Sequence, residues 1–247
     1  MNITCILTAY NEAKYLPLKL AFCKANGINL YVIDNYSNDG TWEWLQAHNV
    51  PSHRFDTNEA FDLPALQGEI IQTLHRIKPD WVVYNGADLF PVTPGPLCHH
   101  INDAEAMGYN LISMLAISMH NTGEPPEPFD PFNTYFYYNT FMHVQLIHKY
   151  HPDVKYCADH VWIPDQHTIT VPGVMINYGQ TKTQQEREET LKRRQRAWKN
   201  GMKHGHGQHM REGNKLGWKW DKDKLKDIRN SEYAPYINKL QRIKPIK

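Results

Sequence analysis

The residues best suited to chemistry fall into short polar clusters, each closing an apolar run. Asp88 is the sharpest case. Trp81-Val82-Val83-Tyr84 reads as a buried strand, Asn85-Gly86-Ala87 breaks it, and one carboxylate follows before Leu89 and Phe90 return to the core. A lone carboxylate at a sheet rim suits a metal ion or a polar ligand, and in open α/β sheets ligands gather outside the carboxyl ends of the strands. Asn11 and Glu12 close an earlier run, Ile3-Thr4-Cys5-Ile6-Leu7-Thr8, and Asp34 closes Leu30-Tyr31-Val32-Ile33. Polar clusters at successive strand ends predict a pocket.

Positioning those clusters calls for alternating strands and helices. Leu16-Pro17 opens a helical pattern with Leu18, Leu20, Ala21, Phe22 and Ala25 as its apolar face and Gly27 as its stop. Residues 35–41 are dense in turn and capping types, and Trp42, Leu45 and Ala47 then give a short amphipathic helix. A strand is expected near 52–55. A helix follows over 63–77, with Leu66, Ile70, Leu74 and Ile77 at helical spacing and Pro79 ending it. The resulting β-α-β-α-β-α-β series predicts a parallel, doubly wound sheet.

Further on, Pro94-Gly95-Pro96 introduces a helix to about Met107, and residues 111–117 read as another strand. Residues 120–132 are too rich in proline for regular structure and read as a lid or specificity loop, or as a linker. From Thr183 the composition turns polar. Residues 184–199 favour a helix with glutamates early and Lys192, Arg193, Arg194, Arg196 and Lys199 late, an order that suits the helix dipole. Residues 201–213 form a Gly/His-rich loop, and 181–247 as a whole reads as a charged, largely helical C-terminal extension.

Bulk properties narrow the classes. At 247 residues with 41% hydrophobic and 12% aromatic content the chain can bury a real core. A net charge of +1 gives no global field toward nucleic acid or membrane, so such a preference needs a local patch. Cys5, Cys23, Cys98 and Cys157 lack zinc spacing and read as buried thiols in a reducing compartment. Met1-Asn2-Ile3-Thr4 shows no signal-peptide pattern, and no apolar run approaches the ~20 residues that span a bilayer. A soluble, cytoplasmic protein without a transmembrane segment is the expectation; the oligomeric state stays open.

Thr8-Ala9-Tyr10-Asn11-Glu12, Leu16-Pro17, Gly27 and Asp34-Asn35-Tyr36-Ser37-Asn38-Asp39-Gly40-Thr41 together resemble the start of family 2-like glycosyltransferases of the GT-A fold. Residues 81–90 are similar to that family's segment carrying the D-x-D metal motif, with Gly86 in place of the first Asp, Asp88 kept, and Leu89 where another acid is usual. Val174-Met175-Ile176-Asn177-Tyr178-Gly179 is similar to the family's terminal H-Y-G element, with Asn177 for the His. The resemblance implies a Rossmann-like, mostly parallel sheet with helices on both faces. It implies a glycosyltransferase domain over 1–180, its nucleotide-sugar half at 1–92 and acceptor half at 93–180. The activity implied is transfer of a sugar from a nucleotide-diphosphate donor, assisted by Mn²⁺ or Mg²⁺. Thr8, Ala9, Tyr10, Asn11, Glu12, Asp34, Asn35 and Ser37 would hold the nucleoside, Gly86 and Ala87 would face the diphosphate, and Asp88 would be the metal ligand. A hard dication on phosphate and carboxylate oxygens suits that role.

Other candidates carry two readings each. Asp159 and His160 follow a run containing His143, His148 and His151 and are candidates for the base that takes the acceptor proton, or else a salt-bridged Asp and a surface His. His204, His206 and His209 could bind metal or fold over a diphosphate, or form a solvated loop. The basic run 192–196 with Trp198, Trp218 and Trp220 could bind nucleic acid, or be one solvated helix face. The acceptor is therefore a glycan, a lipid-linked glycan or DNA bearing a modified base. A degenerate, non-catalytic nucleotide-sugar or glycan binder is the alternative outside enzymes.

Overall fold

The computed structural model of the chain describes residues 1–120, 137–157, 160–199 and 226–246. The first part alternates as expected: β1 (Ile3–Ala9), α1 (Leu16–Ala25), β2 (Asn29–Asp34), α2 (Thr41–Ala47), β3 (Ser52–Arg54), α3 (Leu63–Ile77) and β4 (Trp81–Tyr84). β1 pairs in parallel with both β2 and β4, and β3 extends the sheet beyond β2. Helices cover both faces, which is why these strands are apolar on successive residues instead of alternating. Ile3, Cys5 and Leu7 of β1 enter the larger core, and Ile6 enters a second one with Ile33, Ile70, Leu74 and Val82.

α1 is buried over more of its circumference than an amphipathic stripe predicts. Leu16, Leu18, Lys19, Leu20, Ala21, Phe22 and Cys23 are all inside, whereas Ala25, expected on the apolar face, is exposed. The following Asn26 explains the crowding, because its Oδ1 accepts from Leu97 N at 2.9 Å and seats a further helix against α1. On α3, Asp62 caps Ala65 N at 3.1 Å, and Leu66, Ile70 and Leu74 form the buried stripe. Cys5 and Cys23 are buried thiols, but Cys98 is half-buried and Cys157 exposed, so the expectation of burial holds for the first pair alone.

Beyond β4 the chain adds β5 (Leu89–Val92), α4 (Leu97–Ala106), β6 (Leu111–His120), β7 (Tyr137–Lys149), β8 (Lys155–Cys157), β9 (His160–Trp162) and β10 (Thr168–Asn177). The sheet order is β3-β2-β1-β4-β7-β6-β10-β5. β7 is antiparallel to both β4 and β6, so the doubly wound parallel pattern runs from β3 to β4 and the sheet is mixed past it. The reason is connectivity: β7 follows β6 as its direct antiparallel neighbour, which needs no helical crossover. β10 is parallel to β6 and antiparallel to β5, bulging between Thr170 and Val174. Gly173 sits at that bulge with φ 147°, and a methyl group there would lie 2.6 Å from Val92 O.

The C-terminal segment is built into this body. α5 (Gln184–Lys199) lies along the first half, β11 (Lys226–Asp227) pairs with β7, and α6 (Ala234–Gln241) puts Ile237 and Leu240 into the main core. Lys239 Nζ donates to Thr93 O at 2.7 Å and Gly95 O at 2.6 Å. No helix among the described residues is long and apolar enough to cross a membrane.

His148, one of the run flagged in the sequence, is a core residue. It is fully buried between Lys149 O at 2.8 Å and Tyr156 Oη at 2.9 Å, and burial pushes its pKa down to about 4. The unfolded chain takes up this proton near pH 6.5 and the native one only near 4. That part of the stability is therefore present above pH 6.5 and lost as the pH falls toward 4. Replacing His148 with Gln is expected to remove acid destabilisation on the order of 3 kcal/mol across this window, measured as unfolding free energy against pH. Parallel curves for the two proteins would refute it.

Candidate functional site

One wall of the site is the pair of turns leaving β1 and β2, laced together across the carboxyl ends of the strands. Ala9 O accepts from Asn35 N at 2.8 Å, and Ser37 Oγ accepts from Asn11 N at 2.9 Å. Asn11 and Asn38 exchange two 3.0 Å bonds, Glu12 N donates to Thr41 Oγ1 at 3.0 Å, and Ala13 N donates to Asp39 Oδ2 at 3.1 Å. Asn11 (φ 56°) and Tyr36 (φ 55°) both adopt the left-handed region. Asparagine tolerates that conformation, while for tyrosine it is a strain of the kind that collects at ligand sites. The Tyr36 ring stays 52% exposed at the rim, and Thr8 is half-buried below it.

Asp34 is placed differently from a rim carboxylate. It is fully buried, with Oδ1 accepting from Ser37 N at 3.3 Å and Oδ2 from Arg54 Nε at 3.1 Å. Arg54 in turn lies over the Tyr36 and Trp42 rings at 5.0 and 4.8 Å. Asp34 thus holds the 34–37 turn in shape; Asn35 and Ser37 are themselves buried, with Asn35 Nδ2 donating to Phe55 O at 2.7 Å and Ser37 Oγ taken by Asn11 N.

The opposite wall is the loop carrying Asp88. Lys19, buried on α1, donates from Nζ to Asn85 Oδ1 at 3.0 Å and also to Leu89 O. Cys5 Sγ donates to the same Asn85 oxygen at 3.3 Å. From the far side of the sheet, Tyr178 N donates to Asp88 O at 2.9 Å, so the two distant motifs meet here. Asn177 Oδ1 accepts from Gly179 N at 2.7 Å. A methyl group on Gly86 would lie 2.6 Å from Asp88 Oδ1, and one on Gly179 would lie 2.9 Å from Asp88 Oδ2. The carboxylate fills the space beside both glycines, so a side chain at either position would displace it. Ala87 is buried beneath it.

Charges from three regions converge between these walls. Lys182 Nζ lies 3.5 Å from Glu12 Oε1, and Lys14 is ion-paired with Glu186. Burial pushes the Glu12 carboxyl up to about 7, with Asp88 adding to the rise and Lys182 opposing it. Glu12 Oε2 is buried without a hydrogen-bond partner. Burial, then Asp88 and Glu12, also raise the Tyr15 hydroxyl well above its ordinary value. As a metal centre this set fits poorly. An ammonium lies beside the acids, and among the described residues no trio of His, Cys, Asp or Glu could hold an ion.

Above Tyr10, α5 closes the site. The Arg193 guanidinium stacks on the Tyr10 ring at 3.4 Å and donates to Asn35 Oδ1 and to Ala60 O at 3.3 Å. It is 6% exposed, its Nε lacks a partner, and burial pulls its pKa down to about 10. Arg194 lies over Phe61 at 5.4 Å, and Arg196 Nη1 donates to Glu59 Oε2 at 2.8 Å. The basic run therefore turns toward the pocket rim, with Lys192 exposed. Arg196 is 39% exposed in its side chain, so the run has a buried part at Arg193 and a solvent-facing part at Lys192 and Arg196.

His160 pairs with Gln145, two residues along β7 from the Ile147 opposite Val83, in the direction of the carboxyl end of β4. It is exposed at the same end of the sheet as Asp88. Asp159, the loop at 121–132, His204, His206, His209, Trp218 and Trp220 lie outside the described residues.

No family model matches the chain, and no curated protein does. Among solved structures, S. aureus TarS (its 1–349 fragment) aligns over 76% of this chain and 63% of its own, at 13% identity and a TM-score of 0.41. A longer TarS chain aligns over 72% of this chain and 37% of its own, at 12% identity and a TM-score of 0.39. Glucosyl-3-phosphoglycerate synthase from Mycobacterium tuberculosis, solved with Mn²⁺ and UDP-glucose, aligns over 49% of this chain and 44% of its own, at 20% identity and a TM-score of 0.33. The chain spans 37% to 63% of the length of these proteins, less than two thirds in each case.

Lys14, Lys19, Lys182 and Arg193 are site residues that the strand-end reading missed. One local signal was available: Thr183-Gln184-Gln185-Glu186 is a capping box, with Thr183 N on Glu186 Oε2 at 2.7 Å and Glu186 N on Thr183 Oγ1 at 3.2 Å. It fixes where α5 begins and so where Lys182 sits.

Glu12 gives a test of the site's electrostatics. A carboxyl whose pKa is raised by folding contributes stability below its unfolded value of 4.5, which is lost as the pH rises through about 7. The stability of Glu12→Gln relative to the parent is expected to increase by roughly 1–3 kcal/mol between pH 4.5 and 7. A flat difference curve from denaturant titrations would show that this carboxyl is not perturbed.

Proposed function

We propose that the chain is a glycosyltransferase that moves a sugar from a nucleoside-diphosphate donor to an acceptor hydroxyl. The observation that carries this reading is the convergence at Asp88. The loop after β4 and the turn after β10 meet there, facing the laced turns of β1 and β2, and these are the segments that resemble GT-A glycosyltransferases. The division of chemistry follows from the residue types. Tyr10, Asn11, Asn35 and Ser37, with the backbone of Thr8 and Ala9, give a neutral nucleoside an aromatic face and hydrogen-bonding groups. Glu12, Gly86, Ala87 and Asp88 lie at the diphosphate end. Asp34 acts through the turn it holds.

In the transfer, the acceptor oxygen bonds to the anomeric carbon as the bond from that carbon to the diphosphate oxygen breaks. The electron pair leaves on the diphosphate, and the acceptor proton goes to a base, for which His160 and Asp159 are the candidates. Cationic groups held in place near the leaving oxygens stabilise the charge that develops there. In this reading residues 1–92 bind the donor, 93–180 the acceptor, and 181–247 the pocket rim through α5. The acceptor in this reading is a glycan, a lipid-linked glycan or DNA; Arg193 turns inward, while Lys192 and Arg196 keep a basic face toward solvent.

Incubation with UDP-, GDP- and dTDP-sugars is expected to release nucleoside diphosphate from one donor class. No release from any of them would leave a non-catalytic binder. For the active donor, Asp88→Asn is expected to lower turnover roughly 100-fold or more while the melting temperature moves by only a few degrees. Gly179→Ala, which pushes on the same carboxylate, is expected to lower it in the same direction. Turnover near the parent level in Asp88→Asn would sink the assignment.

A further inference from the structure

The acidic cluster carries a cation of its own, and its placement is specific. Lys182 leaves the short 3-10 turn Gly179–Thr181, whose first residue lies against the Asp88 carboxylate. On its other side Thr183 opens α5 through the capping box, so both flanks of Lys182 are pinned. The side chain reaches Glu12 at 3.5 Å, a loose contact, and remains 23% exposed against 14% for Glu12. An ion pair present only to hold the fold would be expected to saturate its oxygens, since a buried pair repays its desolvation only with good geometry and further hydrogen bonds. Here Glu12 Oε2 is left without a partner.

Resting on the donor site proposed above, we propose that Lys182 supplies the positive charge that meets the donor diphosphate, in the position where a divalent ion would otherwise act. An ammonium is a compact point charge with three donors and is well suited to phosphate oxygens. Its neighbours allow the exchange. Lys182 meets a single Glu12 oxygen at 3.5 Å, so a phosphate oxygen offered at hydrogen-bond distance can take its place. Lys14 is already engaged by Glu186, which leaves Lys182 as the lysine of the cluster with a loose partner. Asp88 helps hold the Lys182 ammonium in its charged form, so a dication on Asp88 would be repelled by it. The replacement of the first Asp of the motif by Gly86 follows the same logic, because a lysine needs fewer carboxylates around it than a metal ion does.

The test is equilibrium binding of UDP and GDP to the full chain by calorimetry, in EDTA and in Mn²⁺, for the parent, Lys182→Met and Lys182→Arg. The parent is expected to bind its preferred diphosphate within about twofold in the two media. Lys182→Met is expected to weaken binding roughly 10- to 100-fold, the range of a lost charge-assisted hydrogen bond, and Lys182→Arg to recover part of it. Binding of the parent only with Mn²⁺, or an unchanged Lys182→Met, overturns the proposal; the first arm needs no variant to fold. Uridine and guanosine, which lack phosphate, separate the two levels. Nucleoside binding retained in Lys182→Met places its loss at the diphosphate. Failure of the parent to bind any nucleoside or diphosphate overturns the donor site and this proposal with it.

Discussion

The buried ammonium of Lys19 is the interaction on which the geometry of the site depends. Its acceptors are the Asn85 side chain and the Leu89 carbonyl, and the Phe90 ring lies 4.8 Å below it. None of these is an anion, so its desolvation is offset by neutral oxygens and a ring face. Because the acceptors lie on both sides of Asp88, the position of α1 fixes the loop that presents the carboxylate. Asn85 also receives the Cys5 thiol, which ties the same loop to β1. One lysine among the otherwise apolar buried residues of α1 thus links the first strand, the first helix and the Asp88 loop.

Local grammar made much of the fold legible. The alternation up to β4 could be read from apolar runs broken by Pro17, Gly27, Pro79 and the 35–41 turn, because each breaker acts on its own neighbours. The polar ends of β1, β2 and β4 could be read for the same reason. The direction of β7 could not, since nothing in its residues states which strand it will border. Lys19 was hidden among leucines. Its burial depends on Asn85, 66 residues away. Arg193 and Asn35 are 158 residues apart, and only the fold brings them together.

The same distance explains why the charged C-terminal helix misleads when read alone. Composition makes it a solvated face, yet the first half offers Asn35 Oδ1 and Ala60 O, and Arg193 turns inward to reach them, while Arg196 meets the exposed Glu59 at the surface. Glu186 and Lys182, at the start of the helix, do likewise toward Lys14 and Glu12. The described part of the extension adds charges to a candidate site whose walls are the turns after β1 and β2, the Asp88 loop and the turn after β10. Its charges have to be counted with those walls to make sense.

The seat of Arg193 has a consequence for the proposed donor site. The guanidinium covers the face of Tyr10 and engages Asn35, the surfaces a planar ligand would use. Any such ligand competes with a tethered part of the chain, so its apparent affinity is the intrinsic one scaled by the fraction of molecules in which the arginine has withdrawn. With its Nε unpartnered, the arginine regains hydration on leaving, which offsets part of what its contacts contribute. In the proposed donor site the helix would then act as an internal competitor, and tuning its hold would change occupancy without altering a single group that touches the ligand.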